Sequence, residues 1–98
     1  MYGEDVDLCY RIKQQGYKVI FTPDMQVIHS KGGSSDDGFK SSIIGEYKGL
    51  ITFYRSYYPN RLDFLKFLLF AGALFRMIAF GIIKPERAKV YRQALKVL

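Results

Sequence analysis

YGEDVDLCYRIKQQGYKVIFTPDMQVIH, residues 2–29, holds the cues on which the fold reading turns. Val6, Leu8, Cys9 and Ile12 recur at helical spacing, so residues 5–15 read as a short helix. Gly16 is its natural stop, because the left-handed residue after a helix is easiest for glycine. Tyr17, Val19 and Phe21 then alternate with Lys18 and Ile20, the pattern of a short strand. Thr22-Pro23-Asp24 makes a turn, and residues 25–29 form a second short extended segment that ends on the chain's one histidine, His29.

Outward from this stretch the pattern changes. Residues 31–38, KGGSSDDG, have the composition of a flexible loop. Ile43, Tyr47, Leu50, Ile51 and Tyr54 recur every three or four residues, predicting a helix that Pro59-Asn60 brings to an end. Residues 62–83 are a long apolar helix, and Pro85 opens a last helix over residues 86–97. The fold class expected is therefore α+β. A helix and two short strands fill residues 1–38, and a mainly helical, apolar and basic region fills residues 39–98.

With 98 residues the chain is one small domain or a piece of a larger one. It is 49% hydrophobic and 16% aromatic, which excludes a disordered tail. Residues 1–37 carry six acids against four bases, so the formal net charge of +6 arises wholly from the remainder. A basic, apolar second half suits an anionic surface, either lipid headgroups or nucleic acid. No nucleic-acid reading motif is present, and the basic residues are interleaved with an unusually apolar helix, so no nucleic-acid partner is expected. Cys9 has no second cysteine to pair with and fits a reducing compartment. The polar, acidic start does not read as a signal peptide.

Chemistry enters at Glu4-Asp5. Acids are common at a helix N-terminus, where the macrodipole and free backbone amides favour negative charge. The same placement fixes the direction of a carboxylate, which a general base requires. Asp5-Val6-Asp7 spells the D-x-D string of nucleotide-sugar metal sites, yet helical residues two apart point roughly 200° from each other. That pair cannot close on one metal, and Asp7 reads as a solvent-facing acid of the first turn. His29 is by residue type a surface histidine, or a ligand to a divalent metal where carboxylates complete the site. The Lys31–Ser35 glycines lack P-loop spacing.

Taken together, residues 2–35 resemble the C-terminal part of the family 2 glycosyltransferases, particularly the bacterial rhamnosyltransferase-like members. There an acidic pair opens a helix, a Gly-Tyr-x-Val strand follows, and a Val-x-His segment leads into a Gly/Ser loop. YKGLITFYRSYYP looks like the family's next helix, and beyond Pro59 only apolar and basic character remains. The resemblance implies that residues 1–38 are the acceptor side of a GT-A catalytic domain. It implies Asp5 as general base, Glu4 as the residue that orients the acceptor, and His29 as a ligand to Mn²⁺ or Mg²⁺ on the donor diphosphate. The parent reaction would invert a sugar from a nucleotide donor onto a glycan or lipid-linked acceptor, as in cell-envelope polysaccharide biosynthesis. The family's donor-binding half has no counterpart before Tyr2. The expectation is a fragment inactive alone, with no tight metal site of its own.

LDFLKFLLFAGALFRMIAFGII, residues 62–83, carries Asp63, Lys66 and Arg76 among its apolar residues. About 20 apolar residues span a bilayer, and a central arginine makes spanning costly. We read the helix as interfacial or packed on the rest of the chain. Lys84, Arg87, Lys89, Arg92 and Lys96 would then meet anionic lipid at the cytoplasmic face of a membrane. A helical hairpin packed on itself is the plainer alternative. Two function classes remain open: the glycosyltransferase piece, and a small non-enzymatic membrane-surface or protein-interaction module, with self-association possible in either.

Overall fold

The structure, a computed structural model, describes residues 2–28 and 38–98. Four helices account for it: α1 (Glu4–Gln14), α2 (Gly38–Tyr57), α3 (Leu62–Ile83) and α4 (Pro85–Ala94). Short 3₁₀ turns at Pro59–Arg61 and Leu95–Val97 join α2 to α3 and close the chain.

The expected α+β class is wrong: no strand occurs among the described residues. Residues 17–22 and 25–28 are irregular, although the turn between them forms. There the Thr22 hydroxyl donates to the Asp24 carboxylate at 2.9 Å. Alternation prepares a two-faced ribbon, but a strand exists only when its backbone groups find a ladder partner. These segments find none here, and their apolar side chains stay in solvent, with Phe21 at 89% and Ile28 at 101% of full exposure. His29 and the glycine-rich residues after it lie outside the described residues.

α1 starts one residue earlier than its periodicity suggests. Its N-cap is Gly3, in the left-handed region at φ 108°, and no side chain caps the helix. Glu4, Asp5 and Asp7 occupy the first turn, with Arg11 and Lys13 in the last, so both ends complement the macrodipole. Gly16 closes it at φ 87°. The Tyr17 amide reaches the Ile12 carbonyl at 3.3 Å and the Gly16 amide reaches Lys13 at 3.1 Å, a Schellman ending.

The approach to α1 rests on α2. Tyr2 is the one non-glycine residue with positive φ among the described residues, at 81°, a costly conformation for a side-chain-bearing residue. Its hydroxyl shares a hydrogen bond with Ser42 at 2.7 Å. Its ring lies on Gly45 and its carbonyl on Gly49, where a Cβ at either glycine would overlap it. Two glycines one turn apart on α2 thus make the groove that holds residues 2–3. Further along, Tyr10 packs against Phe53 and Tyr57 with ring centroids 5.2 and 4.4 Å away.

The core joins α2, α3 and α4. Tyr47, Ala73, Tyr91 and Ala94 are buried together, with Leu69, Met77 and Phe80 of α3 packed around them. Ala73 and Ala94 let the helices approach closely, and the Phe80 ring stacks on Tyr91 at 6.0 Å. α3 therefore buries Leu69, Ala73, Met77 and Phe80, three- and four-residue steps along one face. The opposite face, Phe64, Phe67, Leu68, Leu74, Phe75, Ile78 and Ile82, is exposed. The molecule measures 46 × 38 × 19 Å, about two helices deep, which leaves α3 no second layer to cover that face.

Candidate functional site

Where α1 meets the helical core, a cleft of about 730 Å³ opens between its first turn, α2, α3 and Tyr91 of α4. Asp5 and Val6 supply one wall. Tyr47, Phe53 and Tyr54 of α2 form the floor, and Arg76 of α3 closes the far side. Among the described residues no hydrogen bond or ion pair engages the Asp5 carboxylate, which leaves it free to accept a proton or a hydroxyl.

The acidic pair is split. Glu4 faces a second recess of about 440 Å³ on the other side of Gly3, which it shares with Asp7, Lys48 and Ser56. Consecutive helical residues point about 100° apart, so Gly3 seated on Gly49 divides the two carboxylates between two hollows. Glu4 and Asp5 share no cleft.

Asp7 is not the solvent-facing acid its position suggested. It accepts a hydrogen bond from the Tyr57 hydroxyl at 2.8 Å and pairs with Arg11 at 3.0 Å. The contact pushes the Tyr57 phenol above its ordinary range, the hydrogen bond to Asp7 being the largest cause. Asp7 is thereby committed to fastening α1 to α2.

Tyr47 and Tyr91 are the buried tyrosines that line the cleft, and Tyr47 carries the resolved hydrogen bond. Its hydroxyl donates to the Leu69 carbonyl at 3.3 Å. Burial raises its phenol pKa, and the positive charge of Arg76 opposes that rise more than Glu46 adds to it. Tyr47 is accordingly a neutral hydroxyl at physiological pH, and no base.

Arg76 is the group that the sequence reading missed as a functional residue, having counted it only as an obstacle to membrane spanning. Its guanidinium folds back to the Gly72 carbonyl at 3.2 Å and lies over the Tyr91 ring at 5.8 Å from its centroid. Gly72 leaves the room, since a Cβ there would sit 3.0 Å from the guanidinium. Among the described residues no carboxylate pairs with it. A charge inside an apolar helix was the available signal, because such residues are rare and mark functional positions.

The residues described do not assemble a metal centre: no three His, Cys, Asp or Glu side chains come together among them. Glu4 and Asp7 share a recess, but Asp7 is occupied by Tyr57 and Arg11, and His29 lies outside the described residues. Compared with family models, with curated proteins and with solved structures, the chain matches none.

Proposed function

We propose that this chain supplies the acceptor side of an inverting glycosyltransferase, with Asp5 as the general base. The observation that carries this is the unengaged Asp5 carboxylate, fixed on the first turn of α1 at the mouth of a cleft large enough for a sugar. Asp5 would take the proton of the acceptor hydroxyl as its oxygen bonds to the anomeric carbon. The bond from that carbon to the nucleotide diphosphate breaks in the same step, and the diphosphate leaves with the electron pair. The likeness of residues 2–35 to family 2 glycosyltransferases supports the same assignment. Glu4, across Gly3 from the cleft, would act on the acceptor only through a portion reaching the second recess. A nucleotide-sugar donor would bind to residues outside those described.

A membrane-surface role is favoured by a separate observation, the exposed apolar face of α3. Leu62–Ile83 lies within the one helical segment among the described residues that is long and apolar enough to cross a bilayer, Pro59–Ile83, of which 6% of the most apolar window is buried. We read it as resting on an anionic cytoplasmic leaflet, which suits a transferase with a lipid-linked acceptor and equally a non-enzymatic surface module. Sugar transfer from a panel of nucleotide-sugar donors to membrane acceptors, by a polypeptide that joins these residues to a donor-binding region and with and without Asp5→Asn, separates these two. Transfer that depends on Asp5 supports the enzyme; a polypeptide that binds vesicles and transfers nothing leaves the module.

A further inference from the structure

Asp5 stands two residues beyond the N-cap Gly3, so whatever fixes Gly3 fixes the head of α1. No residue of α1 is buried, and no side chain caps its start. Along its length the helix is tied to α2 by Asp7 on the Tyr57 hydroxyl and by Tyr10 among the rings of Phe53, Tyr57 and Tyr58. Ahead of Asp5 the tie is the groove on α2. The Tyr2 carbonyl rests on Gly49, the Tyr2 ring on Gly45, and the Tyr2 hydroxyl meets Ser42 at 2.7 Å. A Cβ on Gly3 would stand 3.5 Å from the Gly49 Cα. The Gly3 carbonyl in turn accepts from the Asp7 amide at 3.0 Å, so Gly3 is the first link of the helix and Asp5 moves with it. Tyr2 keeps a φ of 81° in this seat, and a strained residue persists where its surroundings over-determine it.

We propose that this groove aims Asp5: Tyr2, Gly45 and Gly49 are positioning residues, and Asp5 holds its place in the cleft wall only while residues 2–3 are seated. The inference rests on the reading of Asp5 as general base. Seating matters to such a base because proton transfer needs hydrogen-bond reach, about 2.6–3.2 Å, to the acceptor hydroxyl. A helix head free to lift by about 1 Å would lose that reach. The placement of the glycines supports this use. Inside α2 each glycine makes a weaker helix than alanine would, and each lies under a different part of Tyr2. Asp7 and Tyr10 fasten α1 after Asp5 and the groove fastens it before, so the carboxylate is held between two anchors.

As helix residues alone, Gly45→Ala and Gly49→Ala should only stabilise α2. As the seat of Tyr2 they should fail, and in different ways. A methyl at 45 meets the Tyr2 ring, whereas a methyl at 49 meets the Tyr2 carbonyl, which is main chain. Tyr2→Gly removes the ring and relaxes the positive φ. In that background Gly45→Ala should add no further loss and Gly49→Ala its full loss. Two readouts apply: the methyl resonances of Val6, which shares the cleft wall with Asp5, in the whole chain, and kcat in a polypeptide that joins these residues to a donor-binding region. Gly49→Ala should shift the Val6 methyls and leave the Tyr91 ring resonances of the core in place. It should lower kcat about 10²-fold, the scale of a misplacement of about 1 Å, with the KM for the nucleotide sugar nearly unchanged. Should Gly49→Ala disturb Tyr91, Gly45→Ala with and without the Tyr2 ring decides, since that pair changes side chains alone. Unmoved Val6 methyls, an equal loss from Gly45→Ala in both backgrounds, or undiminished kcat in an enzyme that Asp5→Asn inactivates overturns the proposal. If the Val6 pattern holds while Asp5→Asn leaves transfer unchanged, it is the reading of Asp5 as base that falls, and the groove is left as an anchor for α1.

Discussion

Asp5 and Asp7, two residues apart on one helix, face opposite ways, and the consequence is a division of labour. The roughly 200° between them was legible from helical geometry alone, and it excluded a shared metal. What Asp7 touches was not legible, because Tyr57 is fifty residues further on and no local pattern joins them. Asp7 tethers α1, and the tether has a pH signature. The phenol of Tyr57 is raised above its ordinary value of about 10. Its hydrogen bond is therefore at full strength below that value and is lost as pH rises through the higher, folded one. We expect the ring resonances of Tyr10, which packs against Tyr57, to report α1 leaving α2 as pH rises above the ordinary phenol value of about 10. Tyr57→Phe should loosen α1 already at neutral pH and abolish that alkaline step. An unchanged step in the Phe variant would assign it to another group.

At the scale of elements, the four helices were largely written in the sequence, and among the described residues the two expected strands do not form. Gly16 stops α1 as expected, and Leu62–Ile83 forms α3 over the residues its apolar run marked. α4 ends at Ala94, with Leu95–Val97 tightening into a 3₁₀ turn where a longer helix was expected. Helices carry their hydrogen bonds internally, so their signals survive in a small chain. The alternation of residues 17–21 says only which faces a strand would have, and pairing must come from elsewhere. Equally hidden was the use of Gly45 and Gly49. They admit residues 2–3, and α2 does not need them for its own sake. Gly49→Ala should accordingly stiffen α2 by helix propensity, worth about 1 kcal/mol, while its methyl expels the Tyr2 carbonyl. Circular dichroism should show helix retained as the Tyr2–Ser42 contact is lost by NMR. Retention of both would mean that the groove has more room than the structure gives it.

As a whole the molecule hides few of its apolar side chains. Among the described residues Tyr47, Ile51, Ala73, Tyr91 and Ala94 are the buried apolar ones, and none of the largest side chains is completely covered. The abundance of Phe and Tyr foretold exposed apolar faces. It did not reveal that Phe80 turns inward against Tyr91 while Phe75 turns out. Self-association in water and salt-sensitive sedimentation with anionic vesicles are the expected behaviour. Leu74→Glu with Ile78→Glu changes only the outward face of α3, and should abolish sedimentation while leaving the helical spectrum intact. Undiminished sedimentation of that variant would place the membrane contact on the basic residues of α4 instead.

The candidate site spans the same range of legibility. Asp5 was found from its place at the head of a helix, whereas the cleft it faces needed α2 and α3 to be folded beside it. Arg76 needed that packing too, since only then does a charge in an apolar run acquire a neighbour with chemistry. The most direct measurement is steady-state sugar transfer by a polypeptide that joins these residues to a donor-binding region, comparing Asp5→Asn with the unchanged sequence. Loss of the general base should lower kcat by about 10²–10⁴-fold and leave the KM for the nucleotide sugar nearly unchanged. A variant that transfers sugar at close to the original rate would contradict the assignment and return Asp5 to the helix end as a dipole partner alone.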